Sequence, residues 1–85
     1  MGWPVKIYVA VQNGKIKIEI PVFEVEGVSC YSAVMRPVAY DDEQIMSLFK
    51  EHYRHELGKT VELAVSACEK WIKEKLGQDV TVQSA

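Results

Sequence analysis

An 85-residue chain that is 48% apolar can close one small hydrophobic core and has little room for a deep enclosed pocket. That apolar fraction argues against disorder. A net charge of −2, from ten Lys plus Arg against twelve Asp plus Glu, excludes the global basic field that draws a protein to nucleic acid. Two cysteines, Cys30 and Cys68, are too few for a disulfide framework and lack C-x-x-C spacing.

The first strand is predicted at Val5–Val11, where the residues alternate with period two. A second alternating run starts at Lys15, and Asn13-Gly14 between them is the signal of a two-residue hairpin turn, whose central residues need φ > 0. That turn sets a register in which Val11 faces Ile16, Val9 faces Ile18, Ile7 faces Ile20 and Val5 faces Val22. All four aliphatic pairs then share the core face. The opposite face holds Lys6, Tyr8, Ala10, Gln12, Lys15, Lys17 and Glu19, and is solvated or binds something.

Pro21 cannot donate to a ladder, so a bulge, bend or edge position is expected near it. Glu26-Gly27 reads as a second tight turn. Residues 28–38 then form a third strand, antiparallel to the second, which ends at Arg36-Pro37.

The first helix begins at Asp41 as N-cap, with Gln44 three residues on as in a capping box, and with Tyr40 and Ile45 placed for a hydrophobic staple. Its apolar stripe is Ile45, Met46, Phe49, Tyr53 and Leu57, bordered by Leu48, and Gly58 is the expected left-handed stop. Thr60 caps a second helix with the stripe Val61, Val65, Cys68, Ile72 and Leu76, which Gly77 ends. Val80-Thr81-Val82 is a short final strand.

The predicted fold is a single α+β domain over residues 1–85, in two layers and the order β-β-β-α-α-β. A meander of strands 1-2-3 plus the short C-terminal strand forms an antiparallel sheet, with the C-terminal strand at an edge beside strand 1 or strand 3. A two-helix hairpin packs on one face.

Chemistry is concentrated in KEHYRHELGKT, residues 50–60. His52 and His55, with Glu56 or Glu51 as a third ligand, form the one candidate metal set, though zinc usually takes four ligands. As cations in the last turns of a helix the two histidines need no metal, since the helix dipole favours them there. Gly58-Lys59-Thr60 lacks the preceding strand and the upstream glycine of a phosphate-binding loop.

A helix-turn-helix reading fails because the second helix exposes Glu62, Glu69 and Glu74 beside its lysines. A better nucleic-acid candidate is the hairpin face, with Lys6, Lys15 and Lys17 on phosphates, Tyr8 stacking a base and Arg36 nearby. Cys68 lies within an apolar stripe and Cys30 has no adjacent base, so neither is expected to be a nucleophile.

Trp3, Phe23, Leu63 and Trp71 are the large apolar residues that the core pattern needs least. Exposed together, they mark a partner or dimer surface. The leading expectation is a non-enzymatic interaction or regulatory module that works through protein contacts, with a homodimer among its forms. RNA or single-strand binding stands second and metal binding third. No cofactor is expected. No leader and no apolar run of membrane-spanning length is visible, so a soluble, cytoplasmic protein with reduced thiols and no membrane partner is expected.

Overall fold

The computed structural model describes residues 2–50 and 53–85. It is an α+β structure with one antiparallel five-stranded sheet and two helices. In chain order the elements are β1 (Lys6–Gln12), β2 (Lys15–Val25), β3 (Cys30–Pro37), α1 (Glu43–Leu48), β4 (Arg54–Gly58), α2 (Val61–Leu76) and β5 (Thr81–Ser84). The sheet order is β4-β3-β2-β1-β5, so the 1-2-3 meander is intact and β5 adds at the edge beside β1.

The first hairpin closes as its turn residues dictate. Asn13 and Gly14 take φ of 56° and 73°, and Gln12 pairs with Lys15 and Val11 with Ile16. Beyond those two pairs the expected register is overturned. The ladder shifts between Val11 and Ala10, where β2 carries Lys17 as an extra residue, so that Ala10 faces Ile18, Val9 faces Glu19 and Ile7 faces Pro21.

Distant partners account for the bulge. The Lys17 carbonyl accepts the amides of Val38 (3.0 Å) and Ala39 (3.3 Å), which anchors the connection from β3 to α1. The Lys17 ammonium reaches Asp42 at 2.7 Å. Pro21 lies mid-strand, four residues past the bulge; pairing to β3 is recorded at Glu19 and resumes at Val22, on either side of the residue with no N–H to give.

One-residue slippage exchanges the faces. The core therefore uses Ala10, Ile18, Ile20, Val22, Ala33 and Met35 from the sheet, closed by Ile45 and Phe49 from the α1 region and by Ala64, Val65, Cys68, Ile72 and Leu76 from α2. Val9, Ile7 and Val11, expected in that core, face the other way.

Three further expectations are corrected. Asp42, not Asp41, caps α1: its Oδ1 accepts the Ile45 amide at 3.2 Å. That bond and, above all, the Lys17 hydrogen bond hold the Asp42 carboxyl below the usual carboxylate range. Tyr40 is exposed, so no staple forms. The helix expected to run on to Leu57 ends at Leu48, and Arg54–Gly58 is a strand. Its residues have fair helix propensity, but the open side of β3 offers them a hydrogen-bonding edge, and tertiary pairing overrides a weak local preference.

Gly58 is consequently the end of an edge strand, not a helix stop. α2 itself is as read. Thr60 Oγ1 accepts the Leu63 amide at 3.1 Å, and Gly77, at φ 112°, ends it. Gln12 Nε2 donates to the Leu76 carbonyl (3.2 Å) and to Asp79 (3.0 Å), which ties the C-terminus of α2 to β1.

Candidate interaction face

Both parities of the central strands are apolar, so burying one face under α2 leaves the other apolar too. On β1 the outward residues are Ile7, Val9 and Val11, preceded by Val5; on β2 they are Pro21, Phe23 and Val25, with Ile16 beside the bulge. On β3 they are Ser32, Val34 and Arg36, and on β4 His55 and Leu57. None of these belongs to the core cluster on the helix side.

Rows cross the sheet in register. Gln83, Val9, Glu19 and Arg36 form one, and Phe23, Ser32 and Leu57 another. Val9 and Pro21 are buried, whereas Ile7, Ile16 and Leu57 are 37%, 52% and 58% exposed. Among the described strand residues of this face, Glu19 and Arg36 are the only Asp, Glu, Lys or Arg. They pair with each other at 2.7 Å across the inner strands β2 and β3, so the pair adds no net charge to the face.

At one end of the sheet Trp3, Val5, Phe23, Val25 and Val28 line a shallow groove rimmed by Glu24 and Glu26. Two of the four residues expected at a partner surface, Trp3 and Phe23, thus come together here. Leu63 and Trp71 do not join them. Both lie on α2, across the sheet. Leu63 is exposed. Trp71 is half-buried, edge-on to Phe49 with ring centroids 5.8 Å apart and with the Arg54 guanidinium 4.6 Å above its ring.

The residues of the nucleic-acid reading are divided between the faces. Tyr8 packs against the helix-side core, with the Lys6 ammonium 5.3 Å from its ring centroid. Lys17 is 13% exposed in its ion pair with Asp42, Lys15 sits at the hairpin turn, and Arg36 lies on the open face against Glu19.

Of the metal candidates, His52 lies outside the described residues, as does Glu51. His55 and Glu56 are successive residues of a strand, so their side chains leave it on opposite faces: His55 is opposite Val34 and Glu56 opposite Ala33. Among the described residues no three His, Cys, Asp or Glu side chains gather as a metal site would require. Comparison with family models, curated proteins and solved structures yields no match.

Cys68 Sγ lies 3.6 Å from the Ala33 carbonyl within the core. Burial, with a smaller contribution from the Glu56 charge, pushes its thiol up to about 12. Cys30 is half-buried at the start of β3. An alkylating reagent at about pH 8 is expected to modify only Cys30 in the folded protein and both thiols after denaturation, read by intact mass. Rapid double labelling of native protein would contradict the placement of Cys68.

The signal for the open face was present in the sequence. Ile7-Tyr8-Val9-Ala10-Val11 and Ile20-Pro21-Val22-Phe23 are continuous apolar runs, which belong to strands covered on both sides rather than to half-buried ones.

Proposed function

We propose that this chain is a non-enzymatic protein-interaction module whose docking surface is the open face of the sheet. The observation that carries the reading is an apolar, nearly charge-free sheet face with no layer over it among the described residues. Interface centres are depleted in charge and rich in large apolar groups, with a polar rim. Here Ile7, Val9, Pro21 and Val34 are apolar, His55 and Gln83 lie on the edge strands, and the one acid and one base on the inner strands, Glu19 and Arg36, are paired with each other. RNA binding has less support, because the lysines it requires do not share that face.

Hydroxyl-radical oxidation read by mass spectrometry tests the proposal. Protein in nuclease-treated lysate of its host is compared with dilute purified protein. Ile7, Phe23 and Leu57 are expected to be protected in the lysate, with Leu63 unchanged. Equal oxidation of the three in both conditions, or protection confined to Leu63 and the helix side, would overturn the reading.

A further inference from the structure

We infer that the occupant of the open face is a second copy of this chain, the two sheets packing face to face about a two-fold axis. The inference rests on the reading of that face as a docking surface, and its argument is one of charge, area and edge chemistry.

Charge comes first. A strongly charged partner, whether nucleic acid or an acidic or basic protein, finds almost nothing to pair with on this face. Its Glu19 and Arg36 already satisfy each other at 2.7 Å. A second copy brings the same largely aliphatic surface, whose like charges, Glu24 and Glu26, stand only at the rim of the groove at one end. Its paired acid and base, Glu19 and Arg36, sit side by side on adjacent strands. Under two-fold symmetry each such doublet meets surface of its own kind, as an isologous interface requires.

Area agrees. Five strands spaced about 4.8 Å apart, of 7, 11, 8, 5 and 4 residues at about 3.4 Å each, offer roughly 570 Å² in projection. Accessible area is larger, because side chains stand off the sheet. The projected area is well short of the ~800 Å² per partner of a standard interface and far from the size of an obligate one, so a reversible dimer of modest affinity is expected. Two twisted sheets stack about 10 Å apart at roughly 30°, a spacing that interdigitated Val and Ile side chains fill.

Edge pairing is the competing route to a dimer. Of the two edges, β4 carries Arg54 and Glu56, charges of the kind that discourage strand addition. β5 is four residues long and offers few ladder bonds.

Sedimentation equilibrium of the purified chain, from about 1 to about 500 µM, is the test. The expected result is a reversible monomer–dimer equilibrium with a dissociation constant of roughly tens of micromolar. Ile7→Glu combined with Leu57→Glu should raise that constant by at least about 100-fold, while Leu63→Glu leaves it unchanged. Leu57→Glu alone, at an exposed edge position, gives the same direction should the double variant lose its circular dichroism.

A monomer at every concentration overturns the inference. So does a dimer that survives the face variants, or one abolished instead by Ser84→Pro on β5, whose N–H points away from β1 and whose side chain is not on the open face. A strict monomer whose open face is nevertheless protected in lysate leaves the docking surface standing and removes only the second copy as its occupant.

Discussion

Gly58→Ala is expected to lower the melting temperature by roughly 10–25 °C, the effect of about 2–4 kcal/mol of overpacking on a domain of this size. A Cβ added at Gly58 would lie 2.8 Å from both the Cα of Ala64 and the carbonyl carbon of Leu63, and closer still to the Ala64 nitrogen. These are backbone atoms of the first turn of α2, so no side chain can rotate aside. The crowded nitrogen is also the donor of the first helical bond, to the Thr60 carbonyl at 3.1 Å.

Relief would require α2 to lift from β4. That strains the Thr60 cap and draws Ala64 and Cys68 out of their places in the core. The stiffer unfolded chain returns only about 0.4–1 kcal/mol, so the sign is not in doubt. Thermal unfolding followed by circular dichroism decides it. A loss under about 3 °C would mean that helix and strand are not held at this distance.

The elements legible in the sequence are those whose causes are local. The Asn13-Gly14 turn, the Thr60 cap, the stripe from Val65 to Leu76 and the Gly77 stop each depend on residues within a few positions, and each stands where the pattern placed it. Two features escaped because their causes are distant. The bulge at Lys17 is held by Val38, Ala39 and Asp42, some twenty residues downstream. β4 exists because β3 offers an edge, although Arg54–Leu57 reads as helix by propensity.

The first of these hides the open face: an unbroken register places Ile7, Val9 and Val11 in the core. The expected partner residues Trp3 and Phe23 were legible as surplus hydrophobes. Trp71 was not distinguishable from them, because its contacts with Phe49 and Arg54 depend on where α1 ends and β4 begins.

The bulge also separates two side chains of the same type. In an unbroken hairpin register Ile7 and Ile20 would face each other within one core, and truncating either would cost a similar amount. With Lys17 inserted, Ile20 is fully buried beneath the helices and Ile7 is 37% exposed on the open face. Ile20→Ala is therefore expected to cost about 2–5 kcal/mol, since both the transfer energy and an unfilled cavity count against it. Ile7→Ala should cost only about 1–1.5 kcal/mol, because part of its surface already meets water and no closed cavity is left behind.

Urea unfolding of the two variants at about 1 µM protein measures this, at a concentration where self-association of the open faces adds nothing. Similar losses for both would restore the unbroken register and return Ile7 to the core. At high protein concentration the gap should narrow, as Ile7→Ala then also weakens the contact between faces.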